Sequence, residues 1–177
     1  WGTAIIAEIG ELLNHWAAWK WWKNSDITPA KMVQVKLELV DIFHFILSDL
    51  IASYGDDLAV DCVNAGFKQQ VVEYDPVQIV KEAKLLCIDA ANDKGCPIQF
   101  AALAAAFGVS FDELHKLFIA KNALNEFRQT NFYKAGGYIK EWSGKEDNEH
   151  LAEIVEKLED FTHANVISEI HKSYFGG

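Results

Sequence analysis

Cysteine, proline and glycine are all scarce in this 177-residue sequence, which has three, three and 11 of them. Cys62, Cys87 and Cys96 form no C-x-x-C pair, so the sequence indicates neither a disulfide framework nor a zinc site. Free cysteines are typical of a reducing compartment, and we therefore expect a cytoplasmic protein. Strand-like alternation is rare, while the helix formers Ala, Leu, Ile, Lys and Glu dominate. This composition predicts an all-α fold.

Basic residues are also in the minority. The chain has 26 acidic and 16 basic residues, for a formal net charge of -10. A surface that binds polymeric DNA or RNA needs a basic footprint, so no nucleic acid polymer is expected as a partner. A nucleotide substrate is still compatible with this charge, because a bound divalent ion supplies local positive charge. No signal peptide and no membrane-spanning apolar run is visible, so we expect no membrane partner.

Apolar residues recur at helical spacing along the chain and predict a multi-helix bundle in a single domain over 1–177. The predicted helices cover about 2–16, 28–54, 57–71, 76–92, 97–107, 110–130, 149–160 and 163–174. A loop rich in Gly and Tyr is predicted over 131–148.

Two short acidic motifs stand out, Glu8-x-x-Glu11 and Glu38-x-x-Asp41. Residues three apart lie on one helix face, so each motif presents two carboxylates together, where like charges repel. The second motif lies in a helix that is apolar nearly all round over 37–47, which is the pattern of a buried helix. Buried carboxylates are costly unless paired or metal-bound, and oxygen ligands suit magnesium. The four carboxylates therefore predict a magnesium site on two helices.

The alternative for either motif alone is the solvated face of an ordinary amphipathic helix, and a single E-x-x-E is usually that. The combination of both motifs with a basic segment favours the metal site. Over 121–145 there are five basic and two acidic residues, a net charge of +3 in an otherwise acidic chain. Such a segment, with Gly136-Gly137 allowing close backbone approach, suits an oligophosphate. The alternative is a charged surface loop that uses the glycines only to turn.

Several motifs resemble those of the dimeric, all-α dUTPase family, in order and in spacing. They are Glu8-x-x-Glu11-Leu12, the Trp-Lys-Trp-Trp-Lys block at 19–23, and Glu-Leu-Val-Asp-Ile-Phe-His-Phe at 38–45. The stretches 121–129 and 133–148 are similar to the family's long C-terminal signature, whereas 56–118 is only generically helical.

This resemblance implies a homodimer that hydrolyses dUTP, and also dUDP, to dUMP, with release of pyrophosphate from dUTP. It implies that Glu8, Glu11, Glu38 and Asp41 bind magnesium, and that Glu8 orients or deprotonates a water that attacks the β-phosphorus. The residues that match the family's phosphate- and sugar-binding segment are Lys121, Asn122, Asn125, Arg128, Tyr133 and Lys140. The aromatic residues that match positions near the base are Trp21 and Phe45.

The family has a segment before its first acidic motif in which Gln and Asn side chains read the uracil edge. The sequence begins at Trp1, and we expect that this segment is absent from it. Specificity for uracil therefore rests on the resemblance. Two alternatives stay open: a related helical pyrophosphohydrolase that acts on dCTP or another non-canonical dNTP, and a helical dimerisation module without catalysis.

Overall fold

A computed structural model describes residues 1–24, 27–68, 70–94, 96–131 and 133–176. These residues form eight α-helices and one short hairpin, so the predicted all-α fold is confirmed. Two positions in predicted elements, Gln69 and Phe132, lie outside the described residues.

The helices follow the predicted order and differ from it mainly at their ends. They are α1 (Gly2–Trp16), α2 (Pro29–Tyr54), α3 (Asp56–Phe67), α4 (Pro76–Ala91), α5 (Pro97–Ala106), α6 (Phe111–Thr130), α7 (Asp147–Lys157) and α8 (His163–Phe175). Helix α3 ends earlier than predicted. Helix α7 begins two positions earlier than predicted, because Glu146 and Glu149 form a capping box at its N-terminus.

The predicted loop contains local structure that the sequence did not indicate. A single 3₁₀ turn covers Tyr133–Ala135, and strands β1 (Glu141–Trp142) and β2 (Lys145–Glu146) pair as an antiparallel hairpin. Strands of two residues are too short to leave an alternating pattern in a sequence. The prediction of a continuous loop over 131–148 was therefore wrong at 133–135, 141–142 and 145–146.

The chain divides into two compact units, Trp1–Leu114 (unit 1) and His115–Gly177 (unit 2). The single domain predicted over 1–177 stays a prediction.

Unit 1 is built around the packing of α1 along α2. Apolar residues at helical spacing form a stripe along α1, made of Ile5, Ile9, Leu12 and Trp16, and no member is more than 2% exposed. Thr28 begins α2: its hydroxyl accepts a hydrogen bond from the Lys31 backbone N–H at 3.3 Å, and a proline follows at the first helical position. This start agrees with the helix predicted over 28–54.

Unit 2 consists of the greater part of α6, the hairpin and the last two helices. Helices α7 and α8 pack on each other, and a cluster of aromatic rings joins α6, the hairpin segment and α8. Phe127, Tyr138, Trp142 and Tyr174 are the main members of this cluster. No helix in the described part of the chain is both long and apolar enough to cross a membrane.

Candidate functional site

Three of the four predicted metal ligands come together in unit 1. Glu8 lies on α1, and Glu38 and Asp41 lie on α2; each offers a carboxylate oxygen, and these oxygens lie within 4.8 Å of one another. Among the described residues this is the one group of three or more His, Cys, Asp or Glu side chains with the geometry to hold a metal ion. Only 4% of the surface of Glu38 is exposed, and the other two residues are half-buried.

The helical pattern explains this arrangement. Glu8 lies between the buried Ile5 and Ile9, at the margin of the apolar stripe that α1 turns toward the core. Glu38 is flanked by Leu37 and Leu39, both fully buried, so its carboxylate is largely removed from water. Like charges this close repel each other, and their burial adds a desolvation cost.

The donor chemistry of this group fits a hard divalent cation. All three donors are carboxylate oxygens, which magnesium and similar cations prefer, and no thiolate belongs to the group. A divalent cation among these oxygens converts repulsion into attraction. Three carboxylates also leave coordination positions for water and for phosphate oxygens.

The fourth predicted ligand, Glu11, lies on α1 outside this group, and its side chain is exposed. Its assignment to the metal stays a prediction. The sequence reading missed His15, whose Nε2 lies 3.6 Å from Glu38 Oε1. Since His15 follows Glu8 by seven residues, two helical turns place it on the same face, and this spacing was the available signal.

The two predicted base-proximal aromatic residues lie in different settings within unit 1. Trp21 is 89% exposed and meets Trp22 edge to face, with ring centroids 5.6 Å apart. Phe45 is half-buried, and its ring lies 6.3 Å from that of Trp1. A nucleobase role for Trp21 and Phe45 stays a prediction.

In unit 2, Arg128 makes a bidentate contact with Asp147. Arg128 Nε and Nη2 donate to Asp147 Oδ2 and Oδ1, each at 2.8 Å, and Arg128 Nη1 donates to Asn125 Oδ1 at 3.1 Å. Asp147 is completely buried, and its Oδ2 also accepts a hydrogen bond from the Tyr138 hydroxyl at 3.0 Å. Burial alone would lower the pKa of Arg128, but the hydrogen bonds and charge of Asp147 outweigh it and raise that pKa. The Arg128 side chain is therefore a fixed cation with a fixed counter-ion.

Lys121 is also buried, with 3% exposure, and its Nζ donates to Asn148 Oδ1 at 3.1 Å. Asn148 Oδ1 lies 3.5 Å from Arg128 Nη2 as well, so it bridges two of the three predicted phosphate-binding cations. Asp147 and Asn148 stand at the end of the family-like signature, but the sequence reading gave them no role. Asp147 follows a basic segment, but nothing in the sequence indicates that this acid is buried.

Asn122 and Asn125 are half-buried and line a cavity of about 440 Å³ in unit 2. The other residues that line this cavity are Glu126, Gln129 and His163. The lining groups are polar and suit ligands that form hydrogen bonds, as the predicted sugar and phosphate contacts require. Their role in binding stays a prediction.

The last two predicted phosphate-binding residues are more exposed. Tyr133 is 49% exposed, and its ring lies 5.8 Å from Arg128 Cζ. Lys140 is exposed, with its Nζ 3.4 Å from Glu146 Oε2, and its backbone carbonyl accepts a hydrogen bond from the Asp147 N–H at 2.9 Å. Unit 2 therefore brings the predicted cationic residues into one framework with Asp147 and Asn148.

A family model described as dUTPase matches residues 2–133 of the chain. The match includes the acidic group on α1 and α2 and, in unit 2, the residues from Lys121 to Tyr133; it ends before Lys140, α7 and α8. A search of the curated proteins finds no match.

Proposed function

The chain belongs to the all-α dUTPase family and is a dUTP diphosphatase, and we propose that it hydrolyses dUTP, and also dUDP, to dUMP with magnesium as its metal. Pyrophosphate is the second product from dUTP. The observation that carries this proposal is the group of three carboxylate oxygens within 4.8 Å of one another, one of them on the nearly buried Glu38. Enzymes of this family use a divalent metal, and the donor set suits magnesium.

Glu8, Glu38 and Asp41 are proposed to hold the metal, with Glu11 as a fourth ligand. When bound, magnesium neutralises phosphate charge and makes a coordinated water more acidic. Glu8 is half-buried and so is accessible to water. We assign to its carboxylate the orientation or deprotonation of the water that attacks the β-phosphorus. Glu38 is only 4% exposed, and we expect this burial to keep its carboxylate in one geometry.

The polar residues of unit 2 are proposed to bind the phosphates and the sugar. Lys121, Arg128 and Lys140 supply positive charge, and Asn122 and Asn125 supply hydrogen bonds. Tyr133 lies against Arg128 and belongs to the same group of residues. Arg128 Nε and Nη2 already donate to Asp147, so Arg128 does not have all its N–H groups available for a phosphate. The proposed phosphate-binding role of Arg128 therefore rests on its fixed positive charge.

Trp21 and Phe45 are proposed to lie near the base. The 89% exposure of Trp21 supports this role, because an exposed indole presents a face on which a base can stack. Selectivity for uracil rests on membership of the family.

A homodimer is proposed as the working state. Large apolar side chains on α2, α3 and α4 are more than a third exposed in a single copy of the chain, namely Ile51, Leu58, Val60, Val77 and Ile88. Such residues are common where two copies of a chain meet. A cytoplasmic location is supported by the three free cysteines.

The activity is tested by incubating the protein with magnesium and each of dUTP, dUDP, dCTP and dTTP, and measuring release of the monophosphate. We expect turnover of dUTP and dUDP and little of the other two. Glu8→Gln should lower turnover by about 10²-fold or more. Glu156→Gln, the same chemical change at an exposed position on α7, should keep it. Absence of dUTP turnover would contradict the proposal, and selective loss of dCTP would identify the related pyrophosphohydrolase instead.

A further inference from the structure

Helix α8 lies beyond the residues that the family model matches, yet one of its side chains holds the loop that carries Lys140. The Tyr174 hydroxyl accepts a hydrogen bond from the backbone N–H of Ile139 at 3.1 Å. Ile139 immediately precedes Lys140 and is 63% exposed, so its side chain contributes little to holding this segment. The hydrogen bond to Tyr174 therefore fixes the backbone at Ile139, which the packing of the Ile139 side chain would not hold by itself.

The residue on the other side of Ile139 is also held by Tyr174. The rings of Tyr138 and Tyr174 stack with centroids 5.5 Å apart and planes 6° from parallel. Tyr138 in turn donates its hydroxyl proton to Asp147. Burial and the negative charge of Asp147 raise the pKa of Tyr138, so this hydroxyl stays a donor at neutral pH.

Lys140 itself is anchored from its carbonyl side. Its backbone oxygen accepts a hydrogen bond from the Asp147 N–H at 2.9 Å. The backbone around Lys140 is thus fixed before it by Tyr174 and after it by Asp147, while 49% of its own side chain is exposed. A long cationic side chain on a fixed backbone loses less conformational freedom when it binds an anion than one on a mobile loop.

We propose that Tyr174 is a positioning residue for the nucleotide phosphates: through the Ile139 N–H it fixes the backbone from which Lys140 reaches them. This inference rests on the proposed function, in which Lys140 binds phosphate. It assigns a role to the C-terminal helix, which neither the sequence motifs nor the family match includes.

The test uses Tyr174→Phe in the full chain, which removes the acceptor oxygen and keeps the ring stacked on Tyr138. Since one hydrogen bond is removed, the KM for dUTP should rise roughly three- to tenfold with little change in kcat. Amide hydrogen exchange at Ile139 should accelerate by a similar factor. Lys140→Met should raise the KM, and adding Tyr174→Phe to it should raise the KM no further, because both changes remove the same contribution.

The matched control is Tyr74→Phe in unit 1. It also removes a hydroxyl that accepts one hydrogen bond of 3.1 Å, in this case from Trp16 Nε1. A KM that is unchanged in Tyr74→Phe but raised in Tyr174→Phe supports positioning, because a general loss of stability would affect both variants.

These experiments distinguish failure of the proposed function from failure of the inference about Tyr174. If the parent protein does not hydrolyse dUTP, the proposed function is wrong and the inference falls with it. If the parent is active and Lys140→Met raises the KM while Tyr174→Phe does not, the inference alone is wrong. Equal effects of Tyr174→Phe with and without Lys140 would also overturn it, since Tyr174 would then act by another route.

Discussion

The acidic group of unit 1 brings like charges together, whereas the framework of unit 2 pairs opposite charges. Glu8, Glu38 and Asp41 bring like charges within 4.8 Å, in a place where one of them is almost fully buried. Arg128 and Asp147 bring opposite charges into a bidentate contact with both distances at 2.8 Å. The first arrangement would lower its energy on binding the proposed divalent cation, whereas the second joins a cation to its counter-ion within the fold.

This difference indicates how each region contributes to the enzyme. Clustered carboxylates are expected to contribute little to stability, and the proposed metal ion would account for their grouping. A buried ion pair that is completed by Tyr138, Asn125 and Asn148 is explained by the fold, because it holds the segment after α6 in place. Substitutions in the two regions should therefore change different properties: activity and metal affinity for the first, and stability for the second.

The largest expected effect is on catalysis. Replacing Glu8 by Gln should lower kcat by about 10²- to 10⁴-fold, the usual contribution of a positioned general base. The unfolding transition should stay close to that of the parent. Steady-state hydrolysis of dUTP measures the first quantity and urea denaturation the second. A Glu8→Gln enzyme with parental kcat would show that Glu8 has no part in the reaction.

Breaking the ion pair of unit 2 should give the largest loss of stability. Asp147→Ala removes the carboxylate and leaves the Arg128 guanidinium, whose side chain is only 15% exposed, without its counter-ion. Loss of one partner of a buried pair costs about 3–5 kcal/mol, which urea denaturation would detect. Glu159→Ala, at an exposed position in the same unit, serves as the control. A loss of less than about 1 kcal/mol in the free energy of unfolding would show that this pair contributes no more than an exposed ion pair does.

Arg128→Lys keeps the charge and removes the fork geometry. Because a lysine cannot donate both hydrogen bonds to Asp147, we expect a loss of about 1–3 kcal/mol in the free energy of unfolding. The KM for dUTP should rise less than it does in Arg128→Met, which removes the charge as well. Unchanged stability in Arg128→Lys would show that the bidentate contact contributes nothing to the fold.

The smallest effect is on the metal dependence of stability. Asp41→Asn removes one of the three grouped carboxylates, so added magnesium should raise the free energy of unfolding of the parent by more than that of the variant. Thermal unfolding with EDTA and with magnesium gives this comparison. Equal stabilisation of the parent and of Asp41→Asn by magnesium would show that Asp41 does not bind the metal.

Features that depend on local periodicity were predictable from the sequence. The helices and the α1 stripe follow from apolar spacing, and Glu38 and Asp41 share a face because they are three residues apart. The exclusion of Glu11 from the close group was not predictable. Spacing along one helix tells which face of that helix a side chain lies on. It does not tell which residues of the neighbouring helix lie beside that side chain.

The framework of unit 2 was largely beyond prediction for a different reason. Arg128 and Asp147 are 19 residues apart and lie on either side of a segment without regular periodicity. Tyr174 meets Ile139 across 35 residues. Contacts of this kind depend on how a loop closes, and no local pattern in the sequence encodes that. The resemblance to family motifs identified the cationic residues but not the partners that hold them.

The most direct test of the metal centre is a calorimetric titration of the protein with magnesium in the absence of nucleotide. We expect that the parent binds magnesium and that Glu38→Gln binds it at least about 10-fold more weakly. Glu156→Gln, an exposed change of the same kind, should bind magnesium like the parent. Identical magnesium affinities in the parent and Glu38→Gln would contradict the assignment of the acidic group as the metal centre.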